Sequence, residues 1–430
     1  MTSDTGPSRA VAEQHGAPPT QPRRRAFAAL AHRGYGGFVI GGATAMLADN
    51  TEHVISYWVL HQTFHSPALG AFAVISHWVP YLLLAGYSGA LADRYNPRRM
   101  IQCGMLLFMA VSVAWGLLFL HGQMFLWQAW TLLALHGIAG VLWTPPSQVL
   151  IHDIVGPEHL QSAVRLNASA RYLGMLVGPA LGNGLLLALG PAYGILANAL
   201  VYLPMLIWLQ KPRYAPLRDA TAPRPQSRAV GPAAMAATWR SMSGNRQIIA
   251  MTLLAAAASF LIGNAYQAQM PGFADDLGFH NAGAAYTALL AADAAGAIAA
   301  ALLLESRGML APSPSSALAL AACWCLAIAG FALSHNYLLT LPLLFAAGFF
   351  ELSFSAMAMT IVQLRAPATQ RGHIIGLYIT ASLGLRAFSG VTVGLGGTLL
   401  GIHDSLALSA AALLLCIALI ARWNNRAATT

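Results

Sequence analysis

The chain has 430 residues, 57% of them hydrophobic and only 9% charged. Soluble domains carry about 25% charged residues, so this composition excludes an ordinary soluble enzyme. The net charge of +9 would suit a nucleic-acid surface, but every basic residue except Arg171 and Arg386 lies between apolar runs, not within them.

Residues 1–32 are rich in Pro, Ser, Ala and Arg and read as a disordered tail. Beyond them, apolar runs of about 20 residues recur to the end of the chain. Barrel strands alternate over about 10 residues, and these runs do not alternate, so helices are expected. Twelve spans fall at approximately 35–60, 67–91, 100–120, 124–150, 166–189, 192–210, 247–268, 284–304, 316–334, 338–361, 373–400 and 404–422. The longest connector, 211–246, contains the polar, Pro-rich and basic KPRYAPLRDATAPRPQSR. It separates an N-terminal six-helix half, 33–210, from a C-terminal half, 247–423, and 424–430 form a short tail. With the N-terminus inside, the basic residues outside the spans share one face, while Asp275, Asp276 and Asp404 fall on the other. Both termini are therefore expected in the cytoplasm. The basic charge reads as a topology signal, and no nucleic-acid partner is expected.

The halves look related. Pro157 and Pro367 are 210 residues apart, Gly174 and Gly384 share that offset, and Asp93 and Glu305 are separated by 212. Duplicated halves are a transporter architecture, with the binding site near the midplane between them.

Span one carries AMLADNTEHVISYW, Ala45 to Trp58. A charge at mid-helix costs about 2.5–3.5 kcal/mol on insertion scales, against roughly −0.3 to −0.6 for each large apolar residue. A span rich in Gly and Ala does not offset two carboxylates, so Asp49 and Glu52 are expected to face protein or a wet cavity. Asp49, Glu52, His53 and Ser56 share one helical face. The other ionisable groups deep in spans are Arg171, Asp293, Glu351 and Arg386, and Asp293 is expected to pair with Arg171. His77 in span two reads as packing. Cys103, Cys323, Cys325 and Cys416 sit in apolar runs without ligand spacing. There is no P-loop, HExxH, GxSxG or sequence cluster of metal ligands, so neither an enzyme nor a metal or other cofactor is expected.

Two motifs carry a family resemblance. GALADRYNPRR, Gly89 to Arg99, links spans two and three and resembles the loop motif of the major facilitator superfamily through Gly89, Leu91, Ala92, Asp93, Arg94, Arg98 and Arg99. Asn96 stands where glycine is usual, and Asn tolerates the left-handed conformation a tight turn can require. Asp93 is suited to accept hydrogen bonds at a helix N-terminus. Contact with the start of span eleven, near Arg371, would latch one conformation. GMLVGPALGNG in span five resembles the antiporter motif of exporters in that superfamily through Gly174, Gly178, Pro179 and Gly182, with Asn183 and Arg165 departing from it. Small residues at this spacing allow close helix approach.

The resemblance covers residues 34 to 423. It is nearest to bacterial exporters of the enterobactin-exporter-like group. It implies the twelve-helix, all-α major facilitator fold, with spans one, four, seven and ten lining a cavity. Asp49, Glu52, His53, His136 and Glu351 would then serve proton coupling or substrate binding. Tyr266, Gln267, Phe349, Phe350 and Phe354 would contact substrate. The expected function is proton-coupled efflux of a small organic molecule, such as a siderophore or drug-like compound, by a monomer in the bacterial inner membrane. Uptake symport of a nutrient, or a receptor or scaffold on the same fold, are the alternatives.

Overall fold

Prolines, asparagines and glycines set where the helices begin and end. Asn96 accepts from the Arg98 amide at 3.0 Å and Pro97 opens the next helix, while Gly122 closes it at φ 75°. Asn245, Ser313 and Asn336 cap three later helices in the same way. Asn96 has φ −70°. It stands in the glycine position as a helix cap and not, as its type suggested, as a left-handed turn residue.

The computed structural model describes residues 27–64, 67–211, 232–263, 265–278, 283–306, 311–389, 392–393 and 396–425. Most of the N-terminal tail, residues 212–231 of the connector and the last five residues lie outside them. The helices are α1 (Tyr35–Phe64), α2 (Pro67–Arg94), α3 (Pro97–His121), α4 (Leu126–Val201), α5 (Leu203–Gln210), α6 (Pro232–Ser243), α7 (Arg246–Leu261), α8 (Ala265–Ala268), α9 (Met270–Asp276), α10 (Gly283–Ser306), α11 (Pro314–Leu333), α12 (Tyr337–Arg365), α13 (Arg371–Ser382), α14 (Gly396–Leu400) and α15 (Ile402–Asn425). A 3₁₀ turn, Gly384–Phe388, follows α13.

These make twelve membrane passes in two six-helix halves. Helix α4 supplies more than one. It is broken at Gly156 (φ 67°, ψ 178°) and Gly190 (φ 71°, ψ 172°), each followed by a proline. Positive φ at glycine and a missing amide at the next residue reverse the chain without a loop. Residues 151–165, expected to connect spans four and five, are thus helical apart from Gly156. Among the described residues, six helical stretches are long and apolar enough to cross a bilayer by composition alone, and one of them, Leu126–Gln210, has length for three crossings. The remaining passes carry the polar clusters or are interrupted. Span seven is α7 to α9, with Gly263 at φ 52° in its break. Span eleven is α13, the 3₁₀ turn and α14.

The breaks sit side by side. Thr392 donates to the carbonyls of Phe260 and Leu261 at 3.0 and 3.1 Å, and Ser259 donates to Ser382 at 3.0 Å. Carbonyls released by one interrupted helix are thereby satisfied by the other, as a hydrocarbon environment demands.

Span five lies on α1 through a glycine stripe. A Cβ added at Gly174 would stand 2.8 Å from the Ala43 carbonyl, at Gly178 2.5 Å from Asn50 Cβ, and at Gly182 3.0 Å from Val54 Cβ. Thr51 donates to the Gly178 carbonyl at 3.1 Å across this contact. Overpacking such a seam typically costs about 1–3 kcal/mol. Gly178→Leu is therefore expected to lower the thermal unfolding midpoint in detergent, and differential scanning fluorimetry measures it.

Candidate functional site

Four polar assemblies stand out between the described helices. The first is in the N-terminal half. His136 of α4 bridges two carboxylates of α1, with Nε2 2.8 Å from Asp49 Oδ1 and Nδ1 2.8 Å from Glu52 Oε1. Carboxylates accept only, so His136 satisfies both at once as the imidazolium, with a proton on each nitrogen. Ser112 of α3 donates to the other Glu52 oxygen. His53 Nδ1 lies 3.9 Å from Asp49 Oδ2. The rings of His53 and His136 are 4.7 Å apart, and the ring of His77 from α2 is 5.0 Å from His53. Asp49, Glu52 and His136 are buried, at 7%, 1% and 4% exposure. Ser56, on the same α1 face, turns back to the Glu52 carbonyl at 2.7 Å.

The second assembly is in the C-terminal half. Tyr266, on the short helix α8 in the break of span seven, reaches Asp293 of α10 at 3.2 Å and Glu351 of α12 at 3.5 Å. Gln267 donates to Asp293 at 2.9 Å. Arg386 stands 3.5 Å from Glu351, and its guanidinium lies 5.4 Å from the ring of Trp78 in the opposite half. The expected Asp293–Arg171 pair does not form among the described residues. The break in span seven brings two neutral donors to Asp293 instead, and Arg386 serves the adjacent carboxylate. Tyr266 and Gln267, expected as substrate contacts, are occupied with these carboxylates.

The third assembly joins the halves at one end. Asp93, at the end of α2, accepts from the Gly372 and His373 amides at 2.7 and 3.0 Å and lies 2.8 Å from His373 Nδ1. These amides belong to the first turn of α13, where backbone donors lack helical partners and the dipole favours an anion. The approach requires glycine, because a Cβ at Gly89 would stand 2.1 Å from the Gly372 carbonyl. Of the other motif residues, Arg371 is the first residue of α13, and Arg94 and Arg99 are exposed. Arg98 donates to the Leu209 and Lys211 carbonyls at 2.6 and 2.8 Å, so it ties α3 to the end of span six and not to the other half.

A counterpart clasp uses Glu305 at the end of α10. Ser162 donates to Glu305, Arg165 Nη1 lies 4.0 Å from it, and Arg165 also donates to the Leu304 carbonyl at 2.8 Å. Gln363 donates to Gln148 at 3.0 Å between the two clasps' halves. Ser162 and Gly372 are 210 residues apart. The second clasp was therefore available from the repeat offset, but the unlike residue types hid it. Arg165, a departure from the span-five motif, is one of its members.

Two halves of six helices, clasped at one end and each holding a buried charged cluster, suit a transporter. Residues 37–390 match the profile of the Major Facilitator Superfamily. The chain belongs to that family, which is a family of transporters and not of enzymes. It is 31% identical over 100 residues to the multidrug resistance protein MdtH of Salmonella typhimurium, a match covering 23% of this chain and 24% of the relative. It is 29% identical over 143 residues to MdtH of Enterobacter sp. strain 638, covering 32% of this chain and 34% of the relative. The match therefore spans about a third or less of these relatives' length. Solved structures share the fold at low identity. The human organic anion transporter MFSD10 superposes with a TM-score of 0.67 at 14% identity over 93% of this chain and all of that one. The Escherichia coli fucose:proton symporter FucP gives 0.70 at 11% identity over 90% and 98%.

The clasp geometry makes a direct forecast. A hydrogen bond to a charged group contributes about 1.5–3 kcal/mol, so Asp93→Ala is expected to speed amide exchange at Gly372 and His373 about tenfold or more. Hydrogen–deuterium exchange of the 371–376 segment measures it.

Proposed function

We propose that this chain is a proton-coupled exporter of a small organic molecule, working as a monomer by alternating access in a bacterial inner membrane with both termini in the cytoplasm. The observation that carries the coupling is the convergence of Asp293 and Glu351 on one Tyr266 hydroxyl with one guanidinium, Arg386, beside them. Two carboxylates and one arginine leave this group one positive charge short in a region where an uncompensated charge is expensive. A proton supplies it, and its arrival and departure bias the two conformations.

Export is supported by the Gly174–Gly178–Gly182 seam and by the partial likeness to multidrug resistance proteins. Orientation follows from the basic loops, which lie at the clasped end. With the cytoplasmic ends clasped, cargo is released outward and protons enter from the same side. In the N-terminal half His136 already neutralises one of its two carboxylates, so Asp49, Glu52, His53 and His136 are assigned to cargo binding and Glu351 with Asp293 to the proton. Asp93 with the start of α13 is the latch.

Ethidium, a lipophilic cation, is a suitable probe in inside-out vesicles under an imposed pH gradient. Wild-type protein is expected to concentrate it. Glu351→Gln and Asp293→Asn are each expected to lower gradient-driven accumulation about tenfold or more while protein levels stay equal. Full gradient-driven transport by both variants would remove these carboxylates from the coupling step.

A further inference from the structure

Three imidazoles from three different helices meet in the N-terminal half. His53 of α1, His77 of α2 and His136 of α4 each offer one ring nitrogen, and these atoms all lie within 4.8 Å of one another. A carboxylate stands among them, with Asp49 Oδ1 2.8 Å from His136 Nε2 and Oδ2 3.9 Å from His53 Nδ1. We propose that His53, His77, His136 and Asp49 form a binding site for a divalent first-row transition cation.

Donor type selects the class of ion. Three nitrogens and one carboxylate oxygen suit borderline cations such as Zn²⁺ and Co²⁺, whereas Mg²⁺ and Ca²⁺ take oxygen ligands. Four donors are the number a tetrahedral centre needs. Three atoms mutually 4.8 Å apart lie about 2.8 Å from their common centre, so each ring moves inward by less than about 1 Å to reach the usual zinc–nitrogen distance of about 2.0–2.1 Å.

Two further observations point to a ligand. His77 Nδ1 is buried and has no hydrogen-bond partner among the described residues. Such an atom costs about 1–3 kcal/mol when left unsatisfied, and a bound cation with its ligand shell gives that ring a purpose that packing does not. The second is the support behind His136. Glu52 accepts from Nδ1, and Ser112 in turn holds Glu52. A carboxylate on the far nitrogen is the arrangement that orients a metal-binding imidazole and raises its basicity. Ligation uses the Nε2 lone pair, so the cation replaces the proton that Nε2 donates to Asp49, and that proton leaves to solvent. Two carboxylates and one dication then sum to zero charge, which suits a site in the membrane interior.

The site shares Asp49, His53 and His136 with the residues assigned to cargo, and cobalt titration tests it without transport, so it stands or falls independently of that assignment. Its test is titration of the full chain, carrying no polyhistidine tag, with Co²⁺ in nanodiscs, followed by the visible ligand-field bands of cobalt and by Zn²⁺ displacement. One saturable cobalt per chain in a low-coordinate nitrogen–oxygen environment is expected, displaced by Zn²⁺ and unaffected by millimolar Mg²⁺. His77→Ala and His53→Ala are each expected to weaken binding tenfold or more, and Glu52→Gln by about 10- to 100-fold. Thermal unfolding without metal checks that each variant is folded. The wild-type titration decides by itself whether a cation binds. Absence of saturable cobalt binding, or unchanged affinity in folded His77→Ala and His53→Ala, overturns the proposal.

Discussion

A charge inside a bilayer must carry its partners with it, and the two halves meet that constraint by different means. In the N-terminal half, continuous helices bring a histidine from α4, a serine from α3 and a histidine from α2 to the carboxylates of α1. In the C-terminal half, the partners come from a helix that is broken. Tyr266 and Gln267 reach Asp293 only because span seven leaves helical geometry around Gly263. The break frees carbonyls that must be satisfied in turn, and the adjacent interruption of span eleven supplies the donors. One requirement thus accounts for the interrupted helices, their pairing and the location of the buried acids.

The same duplicated plan shapes the contacts between halves. Each half ends a helix in a carboxylate, Asp93 or Glu305, that is received near the start of a helix in the other half. The receiving groups differ. Asp93 is held by free backbone amides, which need only close approach and therefore glycine. Glu305 is held by the Ser162 hydroxyl beside the Arg165 guanidinium. Both contacts are made at helix ends, and beside them the apolar core around Trp324 takes in Tyr81, Ala85 and Val141 of the N-terminal half, so the halves pack on each other as well as clasp.

Pattern and composition carry information about length, polarity and spacing, and those properties were legible. Twelve spans, the α1 stripe and the approach of ALADRYNPRR to the start of span eleven all depend on them. Partner choice depends on which side chain arrives first, and that was not legible. Arg171 and Asp293 have complementary charges, yet neighbours at a helix break hold Asp293. His77 looked like packing because its partners are 24 residues back and 59 residues ahead in the sequence. The connection expected between spans four and five is helical because one glycine with a following proline turns the chain, a conformational effect that hydropathy does not register.

The contrast between the halves has a physical consequence for how a transport cycle divides its labour. In the proposed cycle, coordinating a cargo group demands donors held to within a fraction of an ångström, and Asp49, Glu52 and His136 sit on uninterrupted stretches of helix. Exchanging a proton between two conformations demands a site whose environment changes as the halves move. The Asp293–Glu351 group suits that demand in the proposed cycle, because its partners Tyr266 and Arg386 sit on two interrupted spans and Arg386 also lies against Trp78 of the opposite half. The Arg386–Trp78 contact is the point at which the proposed proton site touches the opposite half.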